Sequence, residues 1–150
     1  PSSIADTFHG SKYTLHHEVC SLGYPPWIRS IIRYGVSIQI ISYSRDTFLQ
    51  EEIEKFTTKK NWQLTTSYHF GGYAKYNEVL IRFINQFSKE NQIVLDPIYT
   101  GKMLFGILDL ISKDYFPVNS NILAIHTGGL QGIEGVNKKL KKKNQELIHI

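Results

Sequence analysis

The sequence is poor in the features that mark secreted, membrane-spanning and metal-binding proteins. Cys20 is the only cysteine, so the chain can form neither an internal disulfide nor a cysteine zinc site. No apolar run reaches the roughly 20 residues of a membrane helix, and no basic-then-apolar signal opens the chain. The histidines lack metal-ligand spacing, and no Gly-x-Ser-x-Gly motif occurs. These absences favour a cytoplasmic protein without a metal centre.

What the sequence does contain is ordinary for one folded domain of 150 residues. Hydrophobic residues make up 41% of the chain and charged residues 20%, and an aromatic fraction of 13% argues against disorder. The chain begins at Pro1, without an initiator methionine. We therefore expect a truncated chain.

The net charge of +4 is concentrated near the end of the sequence. Five of the 17 lysine and arginine residues lie in the run 138–143 (KKLKKK). Two interpretations are open. The run can be a solvated helix end, where cations complement the dipole. It can also grip phosphates without sequence preference, which would make the chain a non-catalytic module that binds RNA or an acidic partner. The run lacks aromatic residues for base stacking, so nucleic acid is the less favoured partner.

Hydrophobic periodicity predicts alternating strands and helices, although residues 1–46 are mostly unreadable. The predicted elements are a short strand at 38–41, a helix at 48–59, a strand at 62–68, a helix at 78–89, a buried strand at 93–95, a helix at 100–113, a buried strand at 122–125, and a helix from 137 that frays at its end. Thr47 with Gln50 matches a capping box, and Asn77 is a favourable N-cap. The pattern predicts an α/β fold, a parallel twisted sheet with helices on its faces. We divide the chain into an unreadable segment at 1–46, an α/β part at 47–140 and a basic tail at 141–150.

Functional side chains are expected where the predicted strands end, because ligands bind beyond the carboxyl ends of parallel strands. Tyr99 can be a core aromatic, or it can shuttle a proton or stack on a ring. Thr100 can be a helix N-cap or a hydroxyl directed at a ligand's ring nitrogen or phosphate. The sequence 127–129 (TGG) can be a plain turn or an anion-binding nest. Tyr73 lies on a loop before a helix, as a surface tyrosine or a functional one.

Two motifs carry a resemblance to a known family. Residues 95–102 read LDPIYTGK and residues 125–129 read IHTGG, with Gly72-Tyr73 upstream. From about residue 48 to 140, the chain resembles the C-terminal part of the 1-aminocyclopropane-1-carboxylate deaminase and D-cysteine desulfhydrase family. These are pyridoxal-phosphate enzymes of the tryptophan-synthase-β fold type. The resemblance implies that fold, that cofactor, a small amino-acid substrate, and a homodimer for the intact enzyme.

The resemblance also implies roles for three residues. Tyr99 resembles the family's active-site tyrosine, and Tyr73 resembles a second tyrosine that faces the substrate across the cofactor. Thr100 falls where the family places the partner of the cofactor's pyridine nitrogen. Deaminase-type members are expected to carry glutamate there, which keeps the nitrogen protonated, whereas a threonine hydroxyl suits a neutral nitrogen. Thr100 therefore favours β-elimination from a substrate such as D-cysteine over cyclopropane ring opening.

The chain departs from the family pattern in its first third. The family's cofactor-linking lysine lies upstream of the matching region, and neither Lys75 nor Lys102 falls at its position. The prolines of residues 24–27 (YPPW) would remove backbone donors where a phosphate loop is expected. We expect a C-terminal fragment that is inactive alone, with residues 1–46 degraded or out of register. The alternatives are the basic binding module and a remnant that folds poorly.

Overall fold

The computed structural model of the chain describes residues 6–10, 13–19, 38–41, 48–58, 60–126 and 128–150. Its strands are β1 (Asp6–Gly10), β2 (Tyr13–Val19), β3 (Ile38–Ile41), β4 (Trp62–Thr65) and β5 (Asn121–His126). Its helices are α1 (Phe48–Glu54), α2 (Glu78–Asn91), α3 (Thr100–Ser112) and α4 (Gly132–Lys142). Helices combine with parallel strand pairs, so the predicted α/β class is confirmed.

The described strands form two small sheets. In the first, β2 lies between β1 and β5, antiparallel to β1 and parallel to β5. In the second, β3 and β4 are parallel, with Ile38 opposite Trp62 and Ile41 opposite Thr65. The strand predicted at 38–41 is therefore present. The β1–β2 hairpin was not predicted, because its strands are short and the alternation of apolar and polar residues in β2 is interrupted at His17.

The buried strand expected at 93–95 does not form a strand ladder in this structure. Leu95 is fully buried in the core, as the apolar pattern requires. The carbonyl of Val94, however, lies 3.3 Å from Nε2 of His126 rather than in a ladder. Among the described residues, the partner of this carbonyl is therefore a side chain.

Helices α2, α3 and α4 enclose the core. Asn77 caps α2 as predicted, since its Oδ1 accepts a hydrogen bond from the Leu80 amide at 3.0 Å. The buried residues of these helices include Leu80, Ile81, Ile84 and Phe87 from α2, Leu104 and Ile107 from α3, and Ile133, Val136 and Leu140 from α4. At Gly101, an added Cβ would lie 2.7 Å from Cδ1 of Ile84 and 2.7 Å from the carbonyl oxygen of Asp96. Glycine at this position lets the first turn of α3 approach α2.

Helix α1 is shorter than its sequence predicted. It ends at Glu54, and Gln50 donates through Nε2 to Oε1 of Glu54 at 3.3 Å. Thr47 lies outside the described residues, so the capping box remains a prediction. Helix α4 begins at Gly132, five residues before the predicted start at 137.

The last residues of the chain are bound to the core rather than frayed. Asn137 donates from Nδ2 to the carbonyl of Ile148 at 2.9 Å and accepts from the Ile148 amide at 2.8 Å. Asn85 of α2 accepts from the amide of His149 at 3.0 Å and donates to the carbonyl of Leu147 at 2.8 Å. The Ile148 side chain is consequently buried.

The lysine run forms the last turn of α4 and the residue that follows it. Lys138 makes an exposed ion pair with Glu134, with 2.6 Å between Nζ and Oε1. Lys139, Lys141 and Lys142 lie in the last turn, where positive charge complements the helix dipole.

Candidate active site

The carboxylate of Asp96 organises the start of α3. Asp96 is fully buried. Its Oδ1 accepts hydrogen bonds from the amides of Ile98 and Tyr99, both at 2.8 Å, and its Oδ2 accepts from the amide of Thr100 at 2.9 Å. The first amides of a helix have no partner within the helix, so one side chain satisfies three backbone donors at this point. Because it bonds both neighbours, Asp96 fixes the positions of Tyr99 and Thr100.

The hydroxyl of Thr100 is also bonded to Asp96. It donates to Asp96 Oδ2 at 2.5 Å and accepts from the Asp96 amide at 3.0 Å. Thr100 is the first residue of α3 and is almost completely buried. The N-cap role that we considered for Thr100 therefore belongs to the Asp96 carboxylate. A hydroxyl has one proton and two lone pairs, so one lone pair of Thr100 remains after these two bonds.

Tyr73 and Tyr99 lie side by side, although 26 residues separate them in the sequence. The Tyr99 hydroxyl donates to the Tyr73 hydroxyl at 3.2 Å. The ring centroids are 6.2 Å apart and the ring planes are tilted by 52°. Tyr73 is 59% exposed and Tyr99 is 38% exposed. The structure therefore brings together the two tyrosines named by the resemblance, and leaves both accessible from solvent.

The segment that carries Tyr73 has an unusual backbone. Phe70 and Ala74 both have φ of 52°, while Gly71 and Gly72 have φ of 99° and 119°. Positive φ is uncommon for residues other than glycine. The Gly71 amide donates to Nδ1 of His69 at 2.8 Å, which helps to close the turn. This conformation needs support from outside the segment.

That support comes from Lys102 on the first turn of α3. Its Nζ donates to the carbonyls of His69 and Gly72, each at 2.8 Å, and the side chain is only 1% exposed. Burial lowers the pKa of Lys102 to about 8, and the negative charge of Asp96 opposes part of this shift. Sequence reasoning considered Lys102 only as a possible cofactor lysine. Nothing in its spacing showed that it would point inward.

The second motif lies against the first. His126 is buried; its Nδ1 accepts from the Gly128 amide at 3.1 Å, while Nε2 contacts the Val94 carbonyl. The proton therefore resides on Nε2. A Cβ on Gly129 would lie 3.0 Å from Oδ2 of Asp96. Because the Gly128 amide bonds His126, the anion-binding interpretation of this glycine pair loses one of its donors. Thr127 lies outside the described residues.

Two further features are absent from the parts of the chain that the structure describes. No helix there is long and apolar enough to cross a membrane. No group of three or more histidine, cysteine, aspartate or glutamate residues there has the geometry of a metal site.

Comparison with known proteins places the matching region among deaminases. A Pyrococcus horikoshii protein provisionally named 1-aminocyclopropane-1-carboxylate deaminase is 38% identical over 109 residues, which is 72% of this chain and 32% of that protein. The 1-aminocyclopropane-1-carboxylate deaminase of Mesorhizobium japonicum is 30% identical over 97 residues, 65% of this chain and 29% of its own length. The enzyme of that name from Cyberlindnera saturnus is 34% identical over 70 residues, 47% of this chain and 20% of its length. The match spans a third or less of each of these relatives. No family model matches the chain.

Proposed function

Because the chain belongs to the family of 1-aminocyclopropane-1-carboxylate deaminases, we propose that it supplies one wall of a pyridoxal-phosphate site in an enzyme that acts on small amino acids. The observation that carries this proposal is the Tyr73–Tyr99 hydroxyl pair, with a 3.2 Å separation between the two oxygens. These two exposed hydroxyls come from separate segments. Asp96 bonds the backbone of Tyr99, and Lys102 bonds the segment that carries Tyr73.

The two tyrosines would orient the substrate and move protons. Each hydroxyl can donate one hydrogen bond and accept others, so the pair can bind an ammonium or carboxylate group and relay a proton between the two oxygens. General acid–base groups must lie within hydrogen-bond reach of the atom that they protonate. Because both tyrosines are exposed at the start of α3, their hydroxyls can come within hydrogen-bond reach of a bound substrate.

Thr100 would contact the pyridine nitrogen of the cofactor. Its proton is directed to Asp96 and one lone pair remains, and it would donate to the neutral ring nitrogen expected beside a threonine at this position. A neutral nitrogen requires the hydroxyl to release Asp96 and rotate. The Thr100–Asp96 bond thus couples the ring nitrogen's protonation state to a buried carboxylate. Pyridoxal phosphate, when bound, acts as an electron sink for the electrons left by the departing α-proton.

We propose D-cysteine as the favoured substrate, because position 100 carries threonine instead of the glutamate expected in deaminase-type members. Loss of the α-proton and of the sulfur substituent yields sulfide, and hydrolysis of the remaining enamine yields pyruvate and ammonia. The lysine that would hold the cofactor is not Lys102, whose amine is buried against two carbonyls. The family's cofactor-linking lysine lies upstream of the matching region, so residues 1–150 alone are expected to be inactive. The intact enzyme would be a cytoplasmic homodimer.

The test compares two proteins. One is the polypeptide of residues 1–150, and the other is the protein purified from its source, which has every residue that its gene encodes. Each is mixed with pyridoxal phosphate and either D-cysteine or 1-aminocyclopropane-1-carboxylate. Sulfide, pyruvate and 2-oxobutyrate are measured against free cofactor. We expect turnover only by the source protein, with D-cysteine preferred.

Tyrosine variants of the source protein test the site itself. Tyr73→Phe and Tyr99→Phe are expected to lower kcat by about 10²-fold or more, as for lost proton-transfer groups. Tyr115→Phe is the matched control, because Tyr115 is exposed and bonds Gln63. Faster turnover of the cyclopropane substrate would overturn the D-cysteine assignment. Full activity in both tyrosine variants would overturn the site.

A further inference from the structure

Lys102 is a buried cation whose bonded partners are neutral. Lysine is almost never fully buried unless it is paired, and here the bonded acceptors are the carbonyls of His69 and Gly72. Asp96 is near enough to act on the amine by its charge. Both carbonyls already accept backbone bonds within the turn, from the amides of Gly72 at 3.0 Å and Lys75 at 3.2 Å. The amine therefore bridges a turn that is already formed.

The bridge joins the two elements that carry the tyrosines. Lys102 and Tyr99 are three residues apart at the start of α3, so they belong to one helical turn. The bridged carbonyls belong to the segment that carries Tyr73. Release of the amine would free this segment from α3, and with it the position of the Tyr73 ring.

We propose that Lys102 is a positioning residue: its amine binds the carbonyls of His69 and Gly72 and so holds Tyr73 against Tyr99. The catalytic consequence of this proposal rests on the proposed function. The bridge itself, and its effect on the distance between the two tyrosines, does not depend on that function. Lys102 acts through the tyrosines and touches no substrate.

The effect of pH on this bridge has a definite sign. The pKa of Lys102 is about 8 when the amine is buried and about 10.4 when it is in water. Opening of the segment therefore takes up protons, so rising pH favours the closed form between these values. A neutral amine still has two N–H donors, which match the two carbonyls. The other titratable groups of this region are Asp96 and Tyr99 beside α3, and His69, Tyr73 and Lys75 on the segment.

The experiment measures the approach of the two tyrosines directly. A ruthenium photosensitiser with persulfate couples neighbouring tyrosines, and mass spectrometry of the digest quantifies the Tyr73–Tyr99 cross-link. Yields at pH 7 and pH 9, which bracket the pKa, are normalised to free tyrosine oxidised in the same solution. The proteins are the wild-type chain, Lys102→Met, and the control Lys113→Met. The control removes an exposed lysine that directly follows α3 and pairs with Asp109.

The wild type and Lys113→Met are expected to cross-link severalfold more than Lys102→Met at both pH values, and at least as much at pH 9 as at pH 7. Lys102→Met should give a low yield at both pH values, with a native circular dichroism spectrum. Equal yields from the wild type and folded Lys102→Met at pH 9 would overturn the proposal. If Lys102→Met does not fold, a wild-type yield that falls from pH 7 to pH 9, while the Lys102 13Cε resonance titrates near 8, overturns it.

The same variants separate this proposal from the proposed function. A lower cross-link yield in Lys102→Met supports the bridge whatever the catalytic outcome. Full activity of Tyr73→Phe in the source protein would then remove the catalytic role of Tyr73 while leaving the positioning role of Lys102 intact.

Discussion

The backbone of Gly129 lies directly against the carboxylate of Asp96. A Cβ at position 129 would be 3.0 Å from both Cγ and Oδ2 of Asp96. The two sequence motifs, which are about 30 residues apart, therefore meet at one buried carboxylate. Since Asp96 also holds Tyr99 and Thr100, the glycine loop and the active-site turn are expected to respond together to substitutions.

Gly129→Ala should destabilise the protein. Its φ of 99° is unfavourable for alanine, and the new methyl group would displace the Asp96 carboxylate, so the free energy of unfolding should fall by about 2 kcal/mol or more. Urea denaturation measures this change. Gly135→Ala is the control, because a Cβ there meets nothing within 4 Å and alanine favours the helix by up to ~1 kcal/mol. Equal stabilities of the two variants would contradict the proximity of Gly129 and Asp96.

Asp96→Asn should unfold more easily than the wild type. The carboxylate accepts from three amides and one hydroxyl, whereas an asparagine amide group has one acceptor oxygen and would direct N–H groups at donors. The expected loss is about 2–4 kcal/mol, that of several buried bonds to a charged group. Thermal and urea unfolding check it. Glu134→Gln, which breaks an exposed ion pair, should change stability by less than ~0.5 kcal/mol.

The free energy of unfolding of the wild type, relative to that of Lys102→Met, should increase as the pH rises from 8 to about 10.4. Burial lowers the pKa of Lys102 to about 8, so the unfolded state binds more protons than the native state in this interval. Stability therefore rises with pH and is lost as the pH falls through 8. Urea denaturation of both proteins at several pH values measures the difference. Parallel curves for the two proteins would show that Lys102 has an ordinary pKa.

Asn137→Ala should release the last residues of the chain. Two bonds to the backbone of Ile148 would be lost, at a cost of about 1–3 kcal/mol. Hydrogen exchange at the Ile148 amide would accelerate before global unfolding. Gln86→Ala is a suitable control, because Gln86 bonds only an exposed Glu90 among the bonds described. Unchanged exchange at Ile148 would mean that the Ile148 side chain and the Asn85 bonds hold the segment without Asn137.

The sequence predicted the helices of the site well and its supporting bonds poorly. The Asn77 cap and the apolar stripes placed α2 and α3 within two residues of their observed ends, because capping and periodicity are local properties. The strand at 93–95 was predicted from apolarity, which reports burial but not the partner that accepts its hydrogen bonds. The hairpin β1–β2 gave only a weak signal, because its strands are short and the alternation in β2 is interrupted at His17.

In the site, too, the functional residues were predicted from the sequence and the supporting residue was not. Tyr99 and Thr100 were predicted from a motif and a strand end, and Tyr73 from the resemblance, and the structure places Tyr73 beside Tyr99. Their catalytic and cofactor-binding roles stay predictions. Lys102 was missed as a support, because a lysine in a first helical turn normally faces water and only tertiary structure shows that it bridges two carbonyls.

The many bonds of Asp96 distinguish a residue that is retained for stability from residues that are retained only for chemistry. A descendant that lost its chemistry would still be stabilised by this carboxylate, since it accepts from three backbone amides at the start of α3. Tyr73 and Tyr99 bear no such constraint, because both rings are solvent-accessible. Asp96 and Gly101 of the Asp-Pro-Ile-Tyr-Thr-Gly run would therefore be the lasting marks of ancestry. The paired tyrosines would be the first positions to drift in a gene that no longer encodes a working catalyst.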